Sequence, residues 1–324
     1  MKSKSLFCLL TTVWLITVSI AEAQKPAKIR KIGFLTSRIG PPATSYEIFR
    51  QALREFGYVE NQDIVFESRA AEDRSRLAEL ATELSQLKLD VIVTTGGATT
   101  RAKTATETVP IVFSYSGDPV EAGFVKSIAR PGGNMTGITW LAFELVGKRL
   151  ELLKEAVPTV SRVAILANPA HPGEQRELGE TQSTARTLGT TLQYHQVRAA
   201  RDFDVAFDAI IKENATALLV FPEATTLQHS KQIAEFAAKR RLPSMFAWKE
   251  YVEAGGLISY GPDREETVRR LAVYVDKILK GAKPADLPVE LPKKFEFVIN
   301  LNTAKQIGVT IPPNVLARAD RVIK

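Results

Sequence analysis

Short continuous apolar runs alternate along this sequence with longer stretches in which apolar residues return every third or fourth position. The runs read as buried strands and the stretches as amphipathic helices. Val91-Ile92-Val93 is the clearest run; it leads into the small-residue turn Thr94–Gly97 and a helix that Thr99 or Thr100 can cap. In chain order, strands are predicted at Lys31–Ser37, Ile64–Ser68, Leu89–Thr94, Pro110–Tyr115 and Thr136–Trp140. Helices are predicted at Ser45–Phe56 and Arg74–Leu87, with a short one through Phe124–Ala129. In the first of these, Ile48, Phe49, Ala52, Leu53 and Phe56 share a face, and Gly57 ends it.

The plan then restarts. A helix over Glu144–Ala156 precedes a strand at Arg162–Ala167, a helix at Glu174–Leu188 and a strand at Thr191–Val197. Asp202 caps Phe203–Lys212, and Ala217–Phe221, a helix over Thr225–Arg240 and Pro243–Ala247 follow. Strand starts near Gln193, Ala217 and Pro243 lie at nearly the same distances from Val163 as Ile64, Val91 and Ile111 lie from Ile32, as a duplicated β-α-β-α unit would give. The tail adds Leu257–Gly261, a helix over Arg264–Leu279 stopped by Gly281, a Pro-rich stretch over 282–292 and a final strand at Phe295–Asn300. Each unit should form a mostly parallel sheet with helices on both faces, and ligands bind such sheets beyond the carboxyl ends of their strands. The fold class is therefore α/β with two Rossmann-like lobes, an interlobe cleft and a hinge of several crossings. The expected division is a leader over 1–23, a first lobe from 24–139 with 262–285, and a second from 140–261 with 286–324.

The leader changes the picture of where the protein works. Lys2 and Lys4 precede an apolar run over Leu6–Ile20, and Ala21-Glu22-Ala23 offers a cleavage site. This is the pattern of a secretory signal peptide cleaved after Ala23, and it predicts a periplasmic protein. Cleavage removes Cys8, the single cysteine, so the mature chain has neither a disulfide nor a thiolate ligand. A formal net charge of +7 is spread over helices that also carry acids, so no nucleic-acid partner is expected. His171, His195 and His229 show no metal-ligand spacing and read as solvated or loop residues; no metal and no cofactor is expected. G-x-S-x-G does not occur, and the thin catalytic inventory favours binding over an enzyme.

Candidate ligand contacts cluster at predicted strand ends. Ser37 ends the first strand, and the turn through Gly96 and Gly97 gives close backbone approach. Helix N-termini at Thr99/Thr100 and Thr225/Thr226 could hold a carboxylate, and Asp118 or Glu223 a donor group. Tyr46, Tyr115, Trp140, Phe246, Trp248 and Tyr260 lie in or beside strand ends and could bury an aromatic or apolar body. Asp118 in Ser-Gly-Asp-Pro is equally a turn former.

These segments resemble, in order, ABC-transporter substrate-binding proteins of the family that includes bacterial tryptophan- and phenylalanine-binding components. The resemblance is carried by Ile-Gly-Phe-Leu at 32–35, Leu-Arg-Glu-Phe-Gly-Tyr-Val-Glu at 53–60 and Val-Thr-Thr-Gly-Gly-Ala-Thr-Thr at 93–100. It continues in Asp-Pro-Val-Glu-Ala-Gly-Phe-Val at 118–125, Arg-Pro-Gly-Gly-Asn-Met-Thr-Gly-Ile at 130–138, Gly-Gly-Leu-Ile-Ser-Tyr-Gly at 255–261 and Asn-Leu-Asn-Thr-Ala-Lys-Gln-Ile-Gly at 300–308. It implies a type I periplasmic-binding fold, a monomer, and delivery of a small solute to a permease in the inner membrane. By the same resemblance Gly96, Gly97, Ala98, Thr99, Thr100 and Asp118 face the ligand, with Asn168 and Glu223 from the other lobe. Gly-Gly-Ala-Thr-Thr stands where the family commonly has Gly-Thr-Pro-Ala-Ala, which leaves an amino acid and another organic carboxylate both open. A ligand-sensing subunit of a signalling system, or an exported α/β enzyme, is the alternative reading.

Overall fold

The computed structural model describes residues 29–36, 45–71, 74–140, 142–171 and 173–324. The leader 1–23, Ser37 and the Gly40-Pro41-Pro42 loop lie outside the described residues. The first sheet contains β1 (Arg30–Thr36), β2 (Ile64–Ala70), β3 (Val91–Thr95), β4 (Ile111–Tyr115) and β5 (Met135–Thr139). Its order is β2-β1-β3-β4-β5, and every pairing is parallel. The second contains β6 (Arg162–Ala167), β7 (Thr191–Gln196), β8 (Ala217–Val220), β9 (Ser244–Phe246), β10 (Ile258–Pro262), β11 (Phe295–Asn300) and β12 (Arg321–Ile323). Its order is β12-β11-β10-β9-β8-β6-β7, so β7-β6-β8-β9-β10 repeats the winding of the first sheet. β11 pairs antiparallel to β10 at the added edge.

Alternate side chains of each strand feed opposite faces, which is why both sheets read as near-continuous apolar runs. Ile32, Phe34, Val91 and Val93 pack with α1 (Ser45–Glu55) and α10 (Arg264–Leu279), whereas Leu35, Ile92, Ile111 and Phe113 pack with α2 (Leu77–Gln86) and α3 (Ala98–Ala105). In the second lobe α4 (Ala142–Ala156) and α5 (Glu174–Thr187) cover one face. The opposite face carries α6 (Phe203–Lys212) and α8 (Ser230–Lys239). Gly137 in β5 has φ +150°, and a Cβ there would lie 2.1 Å from Phe113 O on β4, so only glycine lets these strands approach.

The chain passes between lobes after β5, after β10 and after Glu290. The last crossing comes later than the expected change at 285/286. Val289 N–H donates to Ile128 O, and Glu290 pairs with β5 at Gly137 and Thr139, which ties this stretch to the first sheet.

Other differences have local causes. Residues 124–129 form turns rather than a helix, with Phe124 and Val125 buried and both N–H groups donating to Pro119 O. The helix expected over 225–240 divides at His229 into α7 (Ala224–Gln228) and α8. Its ring Nδ1 bonds Thr225 O at 2.8 Å, competing with the helix ladder. Asp202 does not cap α6 through its side chain; the carboxylate reaches back to the N–H groups of Arg198 and Ala199. β12 was not anticipated. It is short and is recruited by β11, with the Asp320 carboxylate accepting from Phe297 N–H.

Candidate functional site

Residues that immediately follow strand carboxyl ends of both sheets surround one cavity of about 100 Å³. From the first lobe come Thr36, the Thr95–Gly97 turn, Ser114–Ser116 and Trp140, with Ser45, Arg264 and Val268 from helices. The second lobe supplies His171, Pro222–Ala224, Leu227 and Trp248. One wall is thus rich in hydroxyls and backbone, the middle aromatic and apolar, and the second-lobe wall carries a carboxylate and an imidazole.

The first-lobe wall is built by its turn. Gly96 takes φ +56° and donates its N–H to Ser114 O at 2.8 Å, which seats Gly97 as the N-cap of α3. No side chain caps α3: the Thr99 hydroxyl lies 3.0 Å from that of Thr94 inside the lobe. The expectation that Thr99 or Thr100 caps the helix and meets the ligand is therefore corrected. Thr99 and Ala98 are fully buried away from the cavity and Thr100 faces solvent. Thr36 and Thr95 hydroxyls pair at 3.0 Å on the cavity side. Burial pushes the Tyr115 phenol up to about 12, aided by Asp118 and Glu121, so it stays a neutral donor.

On the opposite wall Glu223 is 4% exposed and caps α7, its Oε2 accepting Thr225 N–H at 2.6 Å and lying 3.4 Å from Asn168 Nδ2. A carboxylate already occupies that helix terminus, so Thr225 and Thr226 cannot hold a second one. Asn168 acts behind Glu223 and does not line the cavity; its Oδ1 accepts Ala170 N–H. Between the walls, Trp140 and Trp248 meet edge to face with centroids 5.1 Å apart. Both indole N–H groups are buried and have no hydrogen-bond partner among the described residues.

Contacts between the lobes flank the cavity. Arg264 at the start of α10 binds Glu250 of α9 (Lys249–Glu253) at 2.5 Å and sits 5.0 Å above the Trp248 ring. On the other side Arg176 of α5 lies 3.1 Å from Glu121 and 3.6 Å from Asp118. Asp118 is therefore a turn and rim residue: Oδ1 accepts Val120 N–H at 2.8 Å, and the side chain does not line the cavity.

Of the residues expected from sequence, Gly96, Gly97, Tyr115, Trp140, Glu223 and Trp248 come together at the cavity. Tyr46 instead packs on Phe34 and Phe66 in the first core, and Tyr260 on Phe295 and Phe297 at the added edge. Phe246 is fully buried against Tyr251. His171, read from sequence as a solvated or loop residue, lies in the loop between β6 and α5 and is 8% exposed at the cavity wall. Arg264 was read only as a helix start, and its position at the N-terminal end of a helix returning to the first lobe was the available signal. Among the described residues no group of His, Cys, Asp and Glu could hold a metal ion.

Two doubly wound lobes closing on a polar and aromatic cavity define a two-lobed solute-binding protein. The chain belongs to the ABC transporter substrate binding protein family, which it matches over residues 43–323. This is a family of solute-binding proteins, not enzymes. A tyrosine-binding protein of Clostridioides difficile is 23% identical over 263 residues, covering 81% of this chain and 75% of that protein. Among solved structures, a conserved domain protein from Vibrio cholerae superposes with TM-score 0.83 at 29% identity, covering 91% of this chain and all of that one. An ABC domain from Streptococcus pneumonia in complex with L-Trp superposes with TM-score 0.81 at 26% identity and the same coverage. The fold is the type I periplasmic-binding-protein fold.

Proposed function

We propose that this protein is the periplasmic receptor of an ABC importer, that it traps a small organic carboxylate with an aromatic or apolar body in the interlobe cavity, and that its ligand-bound form is read by an inner-membrane permease. The observation that carries the ligand class is the Trp140–Trp248 pair. One indole follows the last strand of the first sheet and the other follows β9 of the second, and they meet only where the lobes meet. Their rings form the aromatic middle of the cavity lining, against which an aromatic or apolar ligand body can pack. The hydroxyl-lined first wall, with the N-terminus of α3 and the cation of Arg264 beside it, suits the carboxylate. The tyrosine-binding and L-Trp-bound relatives support the same class. A leader cleaved after Ala23 would place the receptor in the periplasm.

Closure is favoured by a ligand only through contacts that exist in the closed arrangement, and a cavity walled by both lobes supplies them. The test is calorimetric and thermal-shift titration of the chain from Gln24 with aromatic and aliphatic amino acids, aromatic acids, sugars and nucleosides. Binding by an aromatic carboxylate, reduced in Trp248→Ala, supports the proposal. Binding confined to sugars or nucleosides would refute the ligand class.

A further inference from the structure

Among the described residues Arg149 of α4 is the largest fully buried side chain, 1% exposed. Burial pushes its guanidinium down to about 10, with neighbouring Glu177 opposing the fall, so it stays a cation at neutral pH. Its Nε donates to Tyr260 O at 2.8 Å, whereas Nη1 is buried without a hydrogen-bond partner among the described residues. A buried, incompletely paired cation costs stability that an apolar side chain of similar volume would not. The sheet shows what its donor replaces. Asn300 N–H donates to Leu257 O and Asp263 N–H to Lys294 O, so the odd-numbered residues of β10 bond β11. By the alternation of an antiparallel ladder, Tyr260 turns its backbone groups to the other side, toward β9. There β9 pairs with β10 only at Met245–Ile258 and Phe246–Ser259 and has ended. Arg149 Nε supplies the donor that a longer β9 would have given.

Two branches of the chain part at this strand end. A Cβ on Gly261 would lie 2.1 Å from Ala247 O and 3.3 Å from Arg149 Nη2, so both branches and the guanidinium meet at one point. One branch runs through Ala247 to Trp248 and Glu250; the other runs through Gly261 to Asp263, the N-cap of α10, and Arg264. They meet again at the cavity, where Arg264 stands 5.0 Å above the Trp248 ring and binds Glu250. We infer that Arg149 is a positioning residue for closure: by holding Tyr260 O it fixes the roots of both branches and so presets Trp248 and Arg264 for the ligand. This rests on the cavity reading above and adds to it a residue outside the cavity lining. Without the bond the branches separate more readily, and part of the binding free energy goes to bringing them back.

Two substitutions separate the donor from the charge. In Arg149→Gln the side-chain amide nitrogen takes the chain position of Nε and can still donate to Tyr260 O; Arg149→Met puts a methyl there. Both lose the guanidinium, so whatever it does for Glu177 is the same in the two. Calorimetry with L-tryptophan, L-tyrosine and indole-3-propionate gives the affinities. Arg149→Met should bind the tightest of these about fivefold or more weakly than the parent, and Arg149→Gln within about twofold of it. Equal affinities in the two variants would overturn the positioning role while leaving the cavity as the ligand site; a merely structural bond would separate their melting temperatures alone. Binding of none of the three probes by the parent would overturn the cavity reading and this inference with it. Amide exchange of the parent gives a second arm that needs no variant to fold. With the tightest probe bound, exchange over 247–250 and 260–264 should slow together. Slowing over 247–250 with 260–264 unchanged would overturn the inference.

Discussion

The contact between Arg264 and Glu250 tests whether lobe contacts set affinity. Arg264 belongs to the helix packed on the first sheet and Glu250 to a helix of the second lobe, so their 2.5 Å bond exists only while the lobes are together. The side chains are 17% and 30% exposed, so the pair contributes about 0.5–1 kcal/mol. Stacking of Arg264 over Trp248 at 5.0 Å adds about 0.5–2 kcal/mol. Glu250→Gln removes the ion pair alone, at a residue outside the cavity lining, and should weaken binding roughly 2- to 5-fold. Arg264→Ala removes both contacts, about 1–3 kcal/mol, together with the cation placed beside the ligand's carboxylate, and should cost at least about 5-fold. The double variant should bind no more weakly than Arg264→Ala, because the ion pair is already gone. Isothermal titration with the tightest-binding probe gives the affinities, and X-ray scattering of the free protein gives the fraction of extended molecules, which should rise in the same order. Melting temperatures without ligand should stay within about 2 °C of the parent, since each lobe keeps its own core. Unchanged affinity in Glu250→Gln, or a double variant whose losses add, would refute the reasoning.

Asp118→Ala removes the acceptor of Val120 N–H and should destabilise the protein by about 1 kcal/mol, while affinity changes less than about 3-fold; thermal melts and calorimetry separate the two. Gly137→Ala should prevent folding of the first lobe, because its methyl would meet Phe113 O on the neighbouring strand, and circular dichroism of purified protein reads this. Burial would raise the Asp263 carboxyl, but the Lys294 bond at 2.8 Å, the Glu266 N–H and Lys249 outweigh it and hold it below the ordinary 3.8. A depressed carboxyl stabilises above its unfolded value, and that contribution is lost as pH falls through the folded one. Denaturant midpoints should therefore drop below about pH 4, and Asp263→Asn, which keeps an N-cap for α10, should flatten that slope.

Much of the fold was legible because strand burial is written directly into residue type. Arg162–Ala167 and Phe295–Asn300 occupy the predicted positions, and the repeated spacing anticipated the shared winding of the sheets. Misreadings arose where tertiary contacts supply what local pattern imitates. Phe124, Val125 and Ile128 have helical spacing, yet a turn closed on Pro119 buries the first two without a helix. Thr225 and Thr226 look like a free helix start until Glu223 is seen to fold back onto Thr225 N–H. Site residues at strand ends, such as Gly96, Tyr115 and Trp248, followed from the rule for parallel sheets. Arg264 and His171 did not. Arg264 reaches the cavity only because α10 returns to the first lobe, and His171 only because Glu177 on the next helix draws its ring inward.

Native mass spectrometry of the chain from Gln24, as purified and again after unfolding and refolding, tests the central claim most directly. The account predicts one small-molecule adduct per chain, lost on unfolding, restored by an aromatic amino acid or aromatic carboxylate, and absent from a Trp140→Ala/Trp248→Ala protein that still melts cooperatively. An adduct that survives in that variant, or a refolded protein that takes up none of these compounds, would contradict it.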